Sequence, residues 1–317
     1  MGHRAGDDRP DHLHHVRLEA RRQRPAGHRR GRLRGRSPLS RLLVTGASGA
    51  LGRVVAERAQ AAGHDVVGTV LTSRPADAAG REVRRVDLRE LAAISALLAQ
   101  VRPDVVVHTA YRQDDWATTA GGAAHVALAC ADYDARLVHV SSDVVFRGDR
   151  DHYTEDDEPD AVEPYGRSKV AAEQAVLECA PGAAVVRPSI VLGASGGRLS
   201  PTERLVHDLA TGAREGALFT DDVKCPVHVE DLADVLLEVV ERELSGVLHA
   251  VGPDALSRHE IGLLVAARDG LDASRLSGTT RAEAGVGGAA RLVLDGSRTR
   301  ALLHTRIRGG REFLTAG

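Results

Sequence analysis

The stretch Arg41-Leu42-Leu43-Val44-Thr45-Gly46-Ala47-Ser48-Gly49-Ala50-Leu51-Gly52 decides the fold. A short apolar run with the length of a buried strand breaks at Gly46, and an Ala/Val/Arg-rich helical pattern follows at once. The glycines fall as G-x-x-G-x-x-G. At a strand–helix junction such glycines permit a tight turn, let backbone N–H groups reach an anion, and let the helix pack closely on the strand. The helix start adds uncapped donors and partial positive charge. Gly46, Ser48, Gly49, Ala50, Leu51 and Gly52 are therefore read as the cradle for a dinucleotide pyrophosphate.

Outward from this turn, short β-branched runs alternate with Ala/Leu-rich segments. The pattern predicts strands over residues 41–45, 65–70, 82–86, 104–108, 136–140 and 183–187. Helices are predicted over 50–62, 89–101, 116–131 and 164–179, and further on over 229–241 and 259–268. Val105-Val106-Val107 is apolar throughout, as expected where helices cover both faces of a sheet. Strand alternating with helix means an α/β chain, a Rossmann-type doubly wound parallel sheet. After Pro188 glycine-rich loops take over. The expected organisation is a tail over 1–40, a dinucleotide-binding domain over 41–190 and mainly a small substrate-binding lobe over 191–317. The tail is crowded with Arg and His and lacks apolar periodicity, so disorder is expected there. It is read as a passive segment, in line with an upstream start site. The alternatives are a nucleic-acid arm, a His-rich metal tract or a transit peptide. Asp7, Asp8, Asp11 and Glu19 argue against a transit peptide.

The 317 residues carry a formal net charge of -2, which argues against nucleic acid or an anionic membrane as partner. No apolar run reaches the roughly 18 residues of a membrane span, so a cytoplasmic protein is expected. Three cysteines, scattered and unpaired in spacing, make neither a disulfide framework nor a zinc site. No His/Asp/Glu group has metal-ligand spacing, so no metal is expected. His228 and Asp231, three apart at a helix start, read as capping residues.

The cofactor's second phosphate is read at the end of the second strand. An acidic residue there would bind a ribose 2′-hydroxyl. The sequence has Val70-Leu71-Thr72-Ser73-Arg74, without a carboxylate. Arg74 is the candidate for a 2′-phosphate, so NADP(H) is favoured, with NAD(H) as the alternative.

The helix from Pro164 carries Tyr165 and Lys169 at i, i+4, on one face and about a turn apart. A phenol is a poor acid or base at neutral pH; a nearby ammonium is expected to lower its pKa and let it exchange a proton with a reacting oxygen. The chain has two lysines, Lys169 and Lys224, among 42 basic residues. A lysine in so arginine-rich a chain points to a need for a compact, tunable point charge. Ser142, at the end of the fifth strand, is placed to donate to a substrate carbonyl or alkoxide.

These pieces, in this order, resemble the extended short-chain dehydrogenase/reductases, and within them the dTDP-4-dehydrorhamnose reductase branch of the NAD-dependent epimerase/dehydratase superfamily. Val140-Ser141-Ser142-Asp143-Val144-Val145-Phe146 is similar to that branch's Ser-Thr-Asp-Tyr-Val-Phe segment. The resemblance places Ser142, Tyr165 and Lys169 as catalytic residues, with Ser142, Asp143 and Tyr165 toward substrate. It implies that Asp87 and Leu88 hold the adenine, that Ala110 and Tyr111 line the cofactor, and that Lys169 also holds the nicotinamide ribose. Asp221 through Ala233 looks like the family's substrate-lobe signature. Val144 departs from the usual Tyr, and Thr119 from the usual Asn. Asp143-Val144 lacks the Asp-Glu of sugar dehydratases. The resemblance implies an NAD(P)H-dependent reductase of a ketone, a 4-keto sugar nucleotide in particular, and a possible homodimer. The alternatives are a sugar-nucleotide epimerase or dehydratase, and a non-catalytic NADP(H)-binding regulatory subunit. Deleting residues 1–38 is expected to leave turnover intact, and a folded but inactive truncation would refute the passive tail.

Overall fold

The computed structural model describes residues 39–72 and 82–315. The N-terminal tail up to residue 38 and Arg74 lie outside the described residues. Strands β1 (Arg41–Thr45), β2 (Asp65–Val70), β3 (Glu82–Arg85), β4 (Val105–His108), β5 (Arg136–Val140), β6 (Ala184–Arg187) and a later one, Gly246–His249, form one sheet. Every pairing in it is parallel. The order is β3-β2-β1-β4-β5-β6 with Gly246–His249 outermost. The direction in which successive strands are added thus reverses between β1 and β4, which opens a crevice at their carboxyl ends.

Six strands lie where the apolar runs predict them. The seventh does not, because its sequence Gly246-Val247-Leu248-His249 has no run long enough to stand out. It gains its place by pairing with β6, Val247 opposite Val185 and Leu248 opposite Val186. The middle strands are apolar on both sides because both sides are covered. On one face α1 (Ala50–Ala61) and α6 (Val229–Glu241) bury Leu42, Val44, Val105, Val107, Val138 and Val140. On the other, α2 (Leu91–Val101), α3 (Gly122–Tyr133) and α4 (Pro164–Cys179) cover Leu43, Val67, Val106, Leu137 and Val185. Each fully buried Val or Leu contributes roughly 1.5–3 kcal/mol.

The rest of the chain after β6 builds a smaller body above the carboxyl ends. There β7 (Val191–Leu192) pairs with β10 (Val227–His228), and β8 (Leu218–Phe219) with β13 (Gly278–Thr279). Strand β9 (Val223–Lys224) lies between β12 (Leu256–Ser257) and β14 (Arg291–Leu292), so that Gly246–His249 is β11 in chain order. Helices α5 (Pro201–Thr211) and α7 (Arg258–Asp269) pack together here and each opens on a capping box, Ser200 with Glu203 and Ser257 with Glu260. Short helices α8 (Ser297–Leu302) and α9 (Gly310–Thr315) end the chain. The capping reading of His228 holds: its ring accepts from Glu230 N at 3.3 Å. Asp231 instead takes the Arg308 guanidinium at 2.7 Å. Among the described residues no helix is long and apolar enough to cross a membrane.

The close approach of α1 to β1 rests on Gly52, where a Cβ would meet Gly46 O at 2.4 Å and Thr109 Oγ1 at 2.6 Å. Gly182, where a Cβ would meet nothing within 4 Å, is the control. Gly52→Ala is expected to lower stability by about 1–3 kcal/mol and Gly182→Ala to leave it unchanged. Thermal unfolding checks this, and equal stability of the two variants would contradict it.

Candidate active site

At the crevice β1 ends in Thr45 and turns through Gly46, whose φ of +70° is left-handed. A Cβ on Gly46 would sit 2.9 Å from the Ala110 Cα, so the turn and the segment after β4 touch backbone to backbone. No side chain caps the start of α1 at Gly49, and Ser48, Gly49 and Ala50 are exposed. The glycine turn thus leaves an exposed helix N-terminus, without a side-chain cap, at the switch point of the sheet. These residues fit a dinucleotide pyrophosphate. The loop after β7 reaches this turn, with Ser195 Oγ donating to Ala50 O at 2.9 Å and Arg53 of α1 donating back to Ser195 O.

Asp87 and Leu88, for which the resemblance implies an adenine contact, follow β3. Arg89 grips Asp87 through its guanidinium at 2.6 Å and its backbone N–H at 3.0 Å, which holds the carboxyl down at about 2. Leu88 is buried, and its carbonyl meets His125 Nδ1 at 3.0 Å. Ala110 lies against the glycine turn, and Tyr111 stands beyond it, 53% exposed. Trp116, also exposed, begins a π-helical turn at Ala117–Gly121, where one continuous α-helix was expected. Thr119 within that turn closes the preceding loop, exchanging hydrogen bonds with Arg112 O at 2.7 Å and Arg112 N at 3.1 Å.

The three candidate catalytic residues lie around the end of β5 and the Tyr111 ring. Lys169 is buried at 2% exposure and donates from Nζ to the Val140 carbonyl at 3.0 Å. Its ammonium also lies 4.9 Å from the centre of the Tyr111 ring. The Tyr111 and Tyr165 rings are 5.7 Å apart. Two residues past Val140, Ser142 caps a short 3-10 turn (Asp143–Val145) and its hydroxyl donates to Asp143 Oδ1 at 3.0 Å. Asp143 Oδ2 accepts from Ser189 Oγ at 2.6 Å and lies 3.5 Å from Lys224 Nζ. With that second oxygen served, Ser142 can swing its hydrogen toward a substrate oxygen without stranding the carboxylate.

One sequence expectation is corrected. The phenol of Tyr165 is not brought down by Lys169; burial pushes it well above its ordinary value, and Tyr111 and Asp143 push it further. The ammonium is directed to the Val140 carbonyl and the Tyr111 face. Burial thus favours the neutral phenol of Tyr165. Burial lowers Lys169 itself to about 8, against the pull of Glu173 one turn on.

Sequence reading missed several partners. His108 and His139 stack 5.2 Å apart at the ends of β4 and β5. Burial, then Lys169, holds His108 at about 3, and burial, His108 and Lys169 hold His139 well below the imidazole range. Both are neutral and set no positive charge against the ammonium. Ser189 and Lys224 gave one usable signal, that Lys224 is the second of only two lysines in the chain. Among the described residues no group of three or more His, Cys, Asp or Glu could hold a metal ion.

A family model described as the RmlD substrate binding domain matches residues 40–312. The chain belongs to this family. Its fold and relatives place it on the dTDP-4-dehydrorhamnose reductase branch of the extended short-chain dehydrogenase/reductases. The chain is 37% identical over 246 residues to the dTDP-4-dehydrorhamnose reductase of Mycolicibacterium smegmatis, covering 74% of this chain and 70% of the relative. It is 30% identical over 263 residues to methionine adenosyltransferase 2 subunit beta of Rattus norvegicus, covering 75% of each. The crystal structure of dTDP-4-dehydrorhamnose reductase from Bacillus anthracis in complex with NADP shares the fold, with a TM-score of 0.75 over 87% of this chain and 97% of that one, at 23% identity.

With only two lysines in this RmlD-family chain, lysine-selective NMR labelling resolves each one. Carbon-13 signals of the cofactor-free protein are expected to show one lysine titrating near 8, lost in Lys169→Met. Two lysines titrating near the ordinary value of 10.4 would contradict the buried ammonium.

Proposed function

We propose that this chain is an NAD(P)H-dependent reductase of a nucleotide-linked 4-keto sugar, with Ser142, Tyr165 and Lys169 as its catalytic residues. The observation that carries this reading is the meeting of a protonated, mostly buried phenol, a buried ammonium and a releasable serine hydroxyl at the end of β5, beside an open glycine cradle. The names of the relatives supply the substrate class.

A bound nicotinamide would supply the hydride, and the protein supplies position and protons. Gly46, Ser48, Gly49, Ala50, Leu51 and Gly52 hold the pyrophosphate, Asp87 and Leu88 the adenine, and Ala110 and Tyr111 flank the nicotinamide end. Ser142 turns its hydroxyl from Asp143 to the carbonyl oxygen and orients it. Tyr165 gives that oxygen a proton as its negative charge grows. In this reading Lys169 holds the ribose hydroxyls, its ammonium kept at the end of β5 by the Val140 carbonyl. The body built by β7–β10 and β12–β14 with α5 and α7 closes over the sugar nucleotide.

NADP(H) is the favoured cofactor. The end of β2 has no carboxylate for a 2′-hydroxyl, and Arg85, paired with Val70 across β2–β3, is exposed there and donates to Leu71 O at 3.0 Å. The likeness to a methionine adenosyltransferase subunit favours a second reading, a dinucleotide-binding regulatory subunit. The retained Ser142, Tyr165 and Lys169 make the reductase the stronger one.

NADPH oxidation with a thymidine-diphosphate 4-keto-6-deoxyhexose tests the proposal. Tyr165→Phe is expected to lower kcat by at least about a hundredfold while keeping NADPH binding; undiminished turnover would defeat the assignment. Dinucleotide binding without turnover on any ketone would move the reading to the regulatory subunit. A lower KM for NADH than for NADPH would overturn the cofactor preference.

A further inference from the structure

Both lysines of this arginine-rich chain are buried, and both stand at the Ser142–Asp143 turn, Lys169 below it and Lys224 above it, at 2% and 5% exposure. Lys224 belongs to β9 of the smaller body and reaches back to the catalytic turn. Its ammonium lies 3.5 Å from Asp143 Oδ2 and 3.7 Å from Asp222 Oδ1. Charge-assisted N–H···O bonds run at about 2.7–2.9 Å, so Lys224 is drawn to two carboxylates without closing on either. Asp222 Oδ1 is buried and has no hydrogen-bond partner. Its other oxygen is held by Arg258 Nε at 3.2 Å, with Arg281 Nη1 at 3.8 Å. An ammonium with donors to give thus faces a carboxylate oxygen with a lone pair to fill. A buried group left so is costly unless something completes it.

We propose that Lys224 and Asp222 form a hydroxyl-recognising pair that selects ketones carrying a free hydroxyl beside the reacting carbonyl. This rests on the reductase reading of the same site and names a feature of its substrate. The pair calls for a neutral group that can both accept and donate. An anion would be repelled by Asp143 and Asp222, and a cation by Lys224, Arg258 and Arg281. A hydroxyl accepts from Lys224 Nζ and donates to Asp222 Oδ1, satisfying both at once. Its position follows from Asp143, whose one carboxylate takes the Ser142 hydroxyl on Oδ1 and faces Lys224 from Oδ2. The group that Lys224 meets is therefore a close neighbour of the oxygen that Ser142 meets. A compact ammonium suits the gap, whereas a planar guanidinium would fork across both carboxylates and fill it.

The test measures, by calorimetry with NADP+ bound, the affinity of a thymidine-diphosphate 6-deoxyhexose and of the same ligand lacking the hydroxyl next to C4. Wild-type protein is expected to prefer the hydroxylated ligand by about tenfold or more. In Lys224→Met that preference collapses toward unity while the deoxy ligand loses little. Lys224→Arg keeps the charge and is expected to lose the preference as well. Equal weakening of both ligands in Lys224→Met would mark Lys224 as structural and overturn the proposal. Absence of discrimination in the wild type, which needs no variant to fold, would overturn it too. Wild-type turnover of the keto sugar is followed in parallel. Hydroxyl-dependent binding without turnover sinks the reductase reading and keeps the pair; turnover without hydroxyl dependence sinks the pair alone.

Discussion

The hydrogen bond from Lys169 Nζ to the Val140 carbonyl joins helix α4 to the last residue of β5, and the site is built around that joint. An ammonium placed there must shed water, and its cost is offset by the carbonyl, the Tyr111 face and Glu173. Glu173 in turn forms a buried bidentate pair with Arg187 of β6, at 2.9 and 2.7 Å, and Arg187 reaches His249 of β11 at 3.4 Å. A line of buried polar contacts thus runs from α4 to β5 and β6, and on through Arg187 to β11. Removing one member of such a pair costs about 3–5 kcal/mol, because the other stays buried alone. The line specifies how α4 sits, and so where Tyr165 points.

A second joint is made of backbone. Gly46, Gly52 and Ala110 meet so closely that side chains are excluded, which leaves the start of α1 as bare N–H donors. One joint is made of backbone dipoles and the other of titratable groups. Asp143 links the latter to the smaller body through Ser189 and Lys224.

Much of this was legible in one chain. The glycine turn, the alternation of strand and helix, and the spacing of Tyr165 and Lys169 are local, and local patterns survive without knowledge of contacts. The seventh strand was not legible, since Gly246–His249 is a strand only because β6 offers it an edge. The same holds for the π-helical turn at Ala117–Gly121, where the composition Ala-Thr-Thr-Ala-Gly suits an ordinary helix equally well.

The sequence by itself determined that a glycine turn opens a parallel sheet and that a serine, a tyrosine and a lysine follow at family spacing. It could not determine the protonation of Tyr165, because that depends on how much water burial removes and on which carbonyl takes the ammonium. Nor could it bring Lys224 and Asp222 to Asp143, some eighty residues earlier in the chain. Charges and hydrogen bonds act through distance in space, and only the tertiary fold sets those distances.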